Sequence, residues 1–473
     1  MLWSLLSISL AAERCYPSGV DTEAYCDQLH VPLNWSDPQS TALTLNTIIV
    51  PAVRANPEPD PVVVLVGGPG QGAADTIAQL LPLLMRVQQH RSIVFMDQRG
   101  TGPTSPLRCS LTEDDFDDPA VILPELKSCG QELVESGVDP KYFVTSALVK
   151  DTEALRKKLG VEQLNLYGIS YGSRLALAYM QAYPERVRAA ILDGIAPSNV
   201  PLGSDFGHNA QRALENLIHD CTTDSECSKQ FPELKSTLNT VWKTLQEPLK
   251  LNLPNSHTYQ WSERKLDQNT LQSSLNIMLY DSELSALIPY VLNAAQHGDW
   301  QPLLVHTEHN IADTVSWEMY LSVVCSEDEH QLPDTDLSSD EAEDSEQNTA
   351  NPSDYVPQVF GKKVSEDLKQ MCSVWPHQDV PIVSYTTMAT PTLLMSGTLD
   401  PATPPENTES LKPLLSAHTE VIFSGTGHNT LRTQCALSLF EDFLKQPSTA
   451  LDVQCASTLK RPAFLLSPSG TAP

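Results

Sequence analysis

Short apolar runs alternate with longer amphipathic runs along the first part of the chain. One of them, 62–66, is continuously apolar, which is typical of a strand buried on both faces of a parallel sheet, and 92–96 is predicted to be another buried strand. Other segments have strand-like patterns, at 28–33, 42–50, 163–167 and 187–192. Segments with apolar residues at helical spacing lie among them, at 73–89, 146–159 and 173–183. This order predicts an α/β fold whose mostly parallel sheet has helices on both faces.

The pattern changes after about Pro201 and returns near residue 391. Residues 206–309 have helical runs, and residues 326–354 form an acidic, serine-rich stretch that predicts a solvated loop. Strands are predicted again at 391–396 and 420–424, and helices at 406–415 and 430–444. We therefore predict one α/β domain with an inserted helical cap, divided into a possible signal peptide and N-terminal segment (1–24), the first part of the core (25–200), the cap with its acidic loop (201–380), the second part of the core (381–456) and a poorly ordered tail (457–473).

The stretch from Gly168 to Gly172 reads G-x-S-x-G and lies between a predicted strand and a predicted helix. In a sharp strand-to-helix turn, a side chain at either glycine would collide with the neighbouring backbone, while the central serine is exposed. Ser170 is therefore the predicted nucleophile. The backbone N–H of the next residue, Tyr171, is predicted to donate to the oxyanion that forms during the reaction.

A serine hydroxyl needs a base to take its proton and an acid that orients the base. His428 is the one histidine that follows a late strand in a glycine-flanked loop. Two aspartates at strand ends are candidates for the acid, Asp400 and Asp193. Asp400 is preferred because it follows the penultimate strand and precedes a proline and a predicted helix, and the chain order of this fold is Ser, acid, His.

A glycine cluster, 67–72, directly follows the apolar run 62–66. Its position before a predicted helix favours a loop whose backbone N–H groups face an anion, with Gly68 as the second oxyanion donor; a simple tight turn is the alternative. Asp97 and Arg99 follow the next strand. A structural ion pair between them is favoured over a catalytic role.

The charge balance limits the classes of partner. The chain has 473 residues, with 30 Lys plus Arg against 59 Asp plus Glu, so its net charge is -29 and it would repel phosphate backbones and anionic lipids. Nucleic acid is therefore not expected as a partner.

No apolar stretch reaches the length of about 20 residues that spans a bilayer. His306 and His309 are three residues apart, but without a nearby Asp or Cys set they predict no metal site.

The ten cysteines fall into close sequence pairs without a C-x-x-C zinc motif. We predict five sequential disulfides, Cys15–Cys26, Cys109–Cys129, Cys221–Cys227, Cys325–Cys372 and Cys435–Cys455. Such bridges indicate a secreted or periplasmic protein. Residues 2–12 give weaker support, since they are apolar and end in small residues like a signal peptide but have no preceding Lys or Arg.

Several motifs together resemble those of the α/β-hydrolase peptidases, and within them the prolyl iminopeptidase and secreted tripeptidyl aminopeptidase group. The similarity extends from about Tyr25 to Cys455 and rests on these segments: Val66-Gly67-Gly68-Pro69-Gly70, Asp97-Gln98-Arg99-Gly100-Thr101-Gly102, Gly168-Ile169-Ser170-Tyr171-Gly172, Leu192-Asp193-Gly194, Gly397-Thr398-Leu399-Asp400 and Gly427-His428. The part from Pro391 onward resembles the C-terminal domain typical of the tripeptidyl aminopeptidases.

This resemblance implies a serine exopeptidase that acts through an acyl-enzyme, without a cofactor, on peptides with a free N-terminus. By position, the segment from Cys325 to Asp328 is similar to the family's Cys-plus-acid segment, which makes Glu327 the first choice and Asp328 the second for binding the substrate ammonium. The alternative is that both merely begin the acidic loop. Val66 stands where prolyl iminopeptidases usually have a histidine, which favours the tripeptidyl branch.

Two other functions remain open at this point. A carboxylesterase uses the same triad, since the triad alone does not distinguish amides from esters. A hydrolase-like binding protein without catalysis is disfavoured because Ser170, Asp400 and His428 are all present. A pocket carboxylate for the free amine separates the peptidase from the esterase. No oligomeric state is predicted.

Overall fold

The computed structural model describes residues 12–109, 119–203, 206–254, 261–307, 315–332, 356–360 and 363–470. Its strands are β1 (Glu13–Cys15), β2 (Ala24–Pro32), β3 (Ala42–Val50), β4 (Val62–Leu65), β5 (Ile93–Met96), β6 (Leu164–Ile169), β7 (Val187–Asp193), β8 (Leu249–Pro254), β9 (Trp261–Leu266), β10 (Thr392–Gly397) and β11 (His418–Phe423). Nine of these described strands form one sheet, in the order β1-β2-β3-β5-β4-β6-β7-β10-β11. The six from β5 to β11 in this order run parallel, and β1, β2 and β3 extend one edge in antiparallel fashion.

The helices are α1 (Ala73–Leu80), α2 (Met85–Gln88), α3 (Pro119–Glu135), α4 (Thr145–Leu159), α5 (Tyr171–Ala182), α6 (Phe206–Thr223), α7 (Ser225–Gln230), α8 (Leu234–Thr244), α9 (Gln268–Tyr280), α10 (Ser282–Ser285), α11 (Ile288–Gln296), α12 (Gln301–Thr307), α13 (Trp317–Glu327), α14 (Lys363–Val374), α15 (Gln434–Lys445) and α16 (Gln454–Ser457). The helix predicted at 406–415 is wrong: this segment contains two short 3-10 turns, Pro405–Thr408 and Lys412–Leu414. Prolines at 405 and 413 lack the N–H that a continuous helix requires.

Alternate residues of the central strands reach opposite faces of the sheet. In β4, Val63 and Leu65 pack in a cluster with α3, α4, α5, α13 and α14, whereas Val62 and Val64 pack in a second cluster with α1, α2 and α15. All four side chains are buried, which explains why this strand is continuously apolar in sequence. The predicted α/β fold, with a mostly parallel sheet and helices on both faces, is confirmed.

The inserted segment has its own apolar core. Helices α6 to α12 bury their apolar sides against one another in a third cluster, separate from the two that cover the sheet. Within the predicted helical stretch 206–309, the structure also places an antiparallel hairpin of β8 and β9. The prediction of helix throughout is therefore wrong here. Helices α13 and α14, which fall within the predicted cap 201–380, pack on the sheet core instead.

The C-terminal segment is packed as far as residue 470. Phe464 and Leu466 are buried in the core of the cap. Arg461 pairs with Asp220 of α6, with 2.8 Å between Nη2 and the carboxylate oxygen. The prediction of a poorly ordered tail is thus wrong for the described residues 457–470, because two apolar side chains of the tail complete the apolar core of the cap.

All five predicted disulfide pairs are joined, and they account for all ten cysteines. Within the described ranges, no helix is both long and apolar enough to cross a membrane. Residues 1–11 of the predicted signal peptide, residues 333–354 of the predicted acidic loop, and His309 lie outside the described residues. The beginning of that loop, Ser326 to Leu332, belongs to the end of α13 and a 3-10 turn.

Candidate active site

Ser170 stands between the end of β6 and the start of α5, with φ 56° and ψ −125°. Among the described residues it is the one non-glycine residue with a positive φ. A residue with a side chain in such a region costs on the order of 1–3 kcal/mol, so the surrounding structure must impose it. The backbone N–H of Ser170 donates to the carbonyl of Asp193 at the end of β7 (2.9 Å), which ties the turn to the neighbouring strand.

The two glycines of the motif are required by close backbone approaches. A Cβ at Gly168 would lie 2.6 Å from the carbonyl oxygen of Gly172. A Cβ at Gly172 would overlap the carbonyl oxygen of Leu65 on β4. These contacts let α5 begin directly over the sheet, which is the geometry expected of a nucleophile elbow.

His428 and Asp400 are joined by a hydrogen bond. The distance between His428 Nδ1 and Asp400 Oδ2 is 2.8 Å, and the Asp400 side chain is fully buried. The other carboxylate oxygen of Asp400 accepts the backbone N–H groups of Ala402 (2.8 Å) and Thr403 (2.9 Å). Because Nδ1 faces Asp400, the Nε2 atom is the ring nitrogen left for another partner.

The two groups stabilise each other's charged forms. Burial lowers the pKa of His428, but the charge and hydrogen bond of Asp400 outweigh burial, and the pKa is raised overall. Burial also opposes ionisation of Asp400, yet the charge and hydrogen bond of His428 and the two backbone donors hold its pKa below the ordinary value. This pair therefore suits a base that accepts a proton while its acid stays ionised.

Three loops bring Ser170, Asp400 and His428 to one edge of the sheet. The residues follow β6, β10 and β11, which are parallel, so their carboxyl ends meet. Gly194, next to the residue that holds the Ser170 N–H, lies so close to the histidine that a Cβ there would be 2.9 Å from His428 Cε1. The predicted serine and histidine are thus assembled around the end of β7.

Asp193, the alternative acid, has other partners. Its carboxylate accepts hydrogen bonds from the hydroxyls of Thr430 (2.8 Å) and Tyr167 (3.1 Å). Burial raises its pKa to about 6. Asp193 anchors the start of the segment after His428 to the sheet, and Asp400 is the aspartate that contacts the imidazole.

The glycine loop after β4 lies against the segment that precedes α13. Gly68 and Gly70 have φ values of 103° and 107°, which glycine adopts without strain. The carbonyl of Gly70 accepts the N–H of Ser316 (2.8 Å), and a Cβ at Gly67 would lie 3.0 Å from the Cβ of Ser170. The loop therefore passes beside the elbow, in agreement with the oxyanion donor predicted there from the sequence pattern.

Asp97 and Arg99 do not form the predicted pair. Both guanidinium nitrogens Nε and Nη2 of Arg99 contact the carboxylate of Asp151 on α4 at 2.7 Å, and both side chains are fully buried. Asp97 instead accepts the N–H of Ala74 and the amide of Asn46. Each residue fixes a loop. The ion pair predicted between them is wrong because the guanidinium of Arg99 pairs with Asp151 of α4 instead.

The predicted amine-binding residues lie at the end of α13. Asp328 is fully buried, and both its oxygens accept from Arg174 Nη1 of α5 at 2.9 Å. Glu327 is 12% exposed and accepts the N–H (2.6 Å) and the hydroxyl (2.8 Å) of Thr145. Asp328 is therefore not available to a substrate amine, because Arg174 neutralises it. The carboxylate of Glu327 is engaged by Thr145.

The model of the alpha/beta hydrolase fold family matches residues 60–432 of the chain. The chain belongs to the α/β-hydrolase fold family. Relatives with 28%, 23% and 33% identity are the serine protease Hip1 of Mycobacterium tuberculosis, the Escherichia coli protein YuaR and the proline iminopeptidase of Neisseria gonorrhoeae. The matched parts cover 48%, 92% and 30% of this chain.

The chain aligns with 46% of the length of Hip1 and 34% of the proline iminopeptidase, but with 88% of YuaR. The match thus spans less than half of the two proteins that are named as peptidases. A solved serine hydrolase from Cycloclasticus zankles has 12% identity and a TM-score of 0.41, over 89% of this chain and 98% of its own.

This α/β-hydrolase has site residues that sequence reasoning missed. The hydroxyl of Thr403 donates to Asp400 Oδ2 (2.8 Å) and lies 3.0 Å from His428 Nδ1. The sequence carries a signal only for the turn that holds Thr403, because an aspartate side chain commonly accepts from the backbone two residues on, as Asp400 does from Ala402. Tyr280, the last residue of α9, accepts the backbone N–H of His428 (2.9 Å), and its ring meets the imidazole edge-on at 5.0 Å. No local sequence pattern predicts this contact between the cap and the core.

Proposed function

We propose that this α/β-hydrolase is a serine exopeptidase that releases residues or short peptides from the free N-terminus of its substrates. The observation that carries the proposal is the buried Asp400–His428 pair at the same sheet edge as the Ser170 elbow. The peptidase names of two relatives support a peptide as the substrate. Whether single residues or tripeptides are released is decided by experiment.

The geometry supports a reaction through an acyl-enzyme. His428 Nε2 takes the proton from the hydroxyl of Ser170, whose oxygen attacks the substrate carbonyl carbon. The backbone N–H groups of Tyr171 and Gly68 stabilise the oxyanion of the tetrahedral intermediate. The intermediate then expels the leaving amine, which receives its proton from His428, and an ester to Ser170 remains. Water hydrolyses this acyl-enzyme with His428 acting again as base, so the mechanism requires no cofactor.

A carboxylesterase is the second candidate, and one observation favours it. Both carboxylates expected to hold a free amine already have partners in the protein. Asp328 is paired with Arg174, and Glu327 accepts both donors of Thr145. We therefore do not assign the binding of the substrate amine to these two residues. The nucleophile, base and acid have the same roles in either function.

Matched substrates test the proposal. Reporter peptides that release one residue or three, each with a free and an acetylated N-terminus, are compared with a small aryl ester. We expect cleavage of the free-amine peptides and a loss of at least about 1,000-fold in kcat for Ser170→Ala, because the nucleophile is removed. Cleavage of the ester alone would assign the protein to the esterases. Near-wild-type turnover by Ser170→Ala would refute the role of Ser170.

We also propose an extracytoplasmic location, either secreted or periplasmic. Support comes from the five disulfides, because such bridges persist in oxidising compartments. Fractionation of the producing cells and mass spectrometry of non-reduced peptides test it. Ten free thiols in the protein as isolated from its cell would contradict the location.

A further inference from the structure

From its two ends, helix α13 contacts residues close to each of the two predicted oxyanion donors, Gly68 and Tyr171. At its N-terminal end, Ser316 donates its N–H to Gly70 in the glycine loop (2.8 Å). At its C-terminal end, Glu327 reaches Thr145, the first residue of α4. The helix itself is packed in the core on one face of the sheet, so both ends are fixed relative to β6.

Glu327 supplies the side-chain acceptor that the N-terminal end of α4 otherwise lacks. The residue before this helix, Val144, has no side chain that can accept from the free N–H groups of the first turn. Glu327 accepts one of them, the N–H of Thr145, at 2.6 Å, and accepts the Thr145 hydroxyl at 2.8 Å. A carboxylate at a helix N-terminus is also favoured by the helix dipole.

The hydrogen bonds continue from Thr145 to the elbow. Thr145 Oγ1 lies 2.7 Å from the phenol oxygen of Tyr171, and both residues are buried. A threonine hydroxyl has one hydrogen. When Glu327 is ionised it receives that hydrogen, so Thr145 accepts from Tyr171, and the bonds then run in one direction from the elbow to Glu327. Tyr171 is the residue directly after Ser170.

The charged residues next to Glu327 pair mainly with each other, so its carboxylate can contact Thr145. The guanidinium of Arg174 donates to both oxygens of Asp328 and to the carbonyls of Ala196, Pro197 and Val200. Its closest approach to Glu327 is 3.9 Å. The near contacts of the Glu327 carboxylate are therefore the two donors of Thr145, whereas Arg174 and Asp328 form the ion pair.

We propose that Glu327 is a positioning residue: acting through Thr145, it fixes the side chain of Tyr171 and so the backbone N–H that Tyr171 offers to the oxyanion. This inference rests on the proposed reaction at Ser170. It differs from the amine-binding role predicted by resemblance, because a positioning residue affects every substrate that passes through the oxyanion, with or without a free amine.

The test compares substitutions that remove the hydrogen bonds with matched ones that keep them. We expect Glu327→Ala, Thr145→Val and Tyr171→Phe to lower kcat by roughly 10- to 100-fold with little change in KM, because small displacements of an oxyanion donor are costly. Glu327→Gln and Thr145→Ser retain donor and acceptor groups and should stay within about threefold of wild type. The losses should be equal on free-amine peptides, acetylated peptides and the aryl ester.

A second readout is independent of the natural substrate. The rate at which a fluorophosphonate labels Ser170 also depends on the oxyanion donors, so it should fall in the same three variants and recover in the two conservative ones. Circular dichroism and the unfolding temperature of each variant show whether it is folded. If Thr145→Val does not fold, Tyr171→Phe measures the same connection without disturbing α4.

The outcomes are distinct. A raised KM confined to free-amine peptides, and equally large in Glu327→Gln and Glu327→Ala, would overturn positioning in favour of amine binding. Unchanged kcat and labelling in folded Glu327→Ala would also overturn it. If the wild-type protein is labelled at Ser170 but cleaves no peptide, the exopeptidase function fails while the labelling rates still decide the role of Glu327. A wild-type protein that neither labels nor turns over any substrate overturns both.

Discussion

Glu327 and Asp328 are adjacent in sequence, one largely and the other fully buried, yet their carboxylates have different partners. Asp328 forms two hydrogen bonds with one nitrogen of Arg174 and accepts the N–H of Leu202 (3.1 Å). Glu327 has only neutral donors at short range. Burial therefore raises the pKa of Glu327 to about 7 even though Arg174 acts against it. A buried carboxylate with this balance exchanges its proton in the physiological range.

This pKa predicts that the stability of the protein depends on pH through Glu327. An unfolded glutamate has a pKa of about 4.3, so between that pH and about 7 the folded chain keeps a proton that the unfolded chain has lost. The contribution of this group to the free energy of unfolding should thus be highest below this window and fall by about 4 kcal/mol as the pH rises through it. Glu327→Gln removes the titration.

Urea unfolding at several pH values measures this effect. The difference in unfolding free energy between Glu327→Gln and wild type should increase in favour of the variant from pH 4 to pH 7.5. The other groups that face this carboxylate are Arg174, Asp328, Tyr171 and Tyr385. They are the same in both proteins, so their own contributions to the unfolding free energy cancel in the difference. A difference that stays constant with pH would contradict the raised pKa.

At the scale of elements, strands β4 and β5 were predictable because burial on both faces leaves a continuous apolar run. The elbow was predictable for a similar reason, since the close approaches at Gly168 and Gly172 admit only glycine. The hairpin of β8 and β9 was missed although Leu249 and Leu251 alternate with polar residues, because it lies among helices. The contacts of Glu327 with Thr145 and of Tyr280 with His428 join distant parts of the chain, and no local pattern encodes them.

The packed C-terminal segment makes a prediction at this scale. Phe464→Ala should lower the free energy of unfolding by about 3–5 kcal/mol, because a buried aromatic ring is replaced by a cavity in the core of the cap. Ser469→Ala, an exposed change in the same segment, is the control and should have an effect within about 0.5 kcal/mol. Denaturant unfolding measures both. Equal stability of the two variants would show that the segment does not stabilise the cap.

At the scale of the whole molecule, disulfides of very different span lie within the apolar cores. Cys325–Cys372 closes a separation of 47 residues and joins α13 to α14 on the sheet, whereas Cys221–Cys227 closes 6 residues within the cap. The entropy that a cross-link removes from the unfolded chain grows with the length of the closed loop. The longer bridge therefore restricts the unfolded chain more.

Paired removal of cysteines tests this ranking. The double change Cys325→Ala with Cys372→Ala should cost about 4 kcal/mol of stability, and Cys221→Ala with Cys227→Ala about 2 kcal/mol. Urea unfolding of both variants beside wild type gives the two values. The reverse order would mean that local packing around the short bridge, and not the entropy of the unfolded chain, determines its contribution.

The bond from the His428 N–H to the carbonyl of Tyr280 attaches the loop that carries the predicted base to the cap. Tyr280 ends α9, and the side chain of Asp281, the next residue, pairs with Arg432 four residues beyond the histidine. The cap therefore supplies a backbone acceptor and an ion pair to the loop that carries His428, so the position of the predicted base depends on two contacts from the cap in addition to its bond with Asp400.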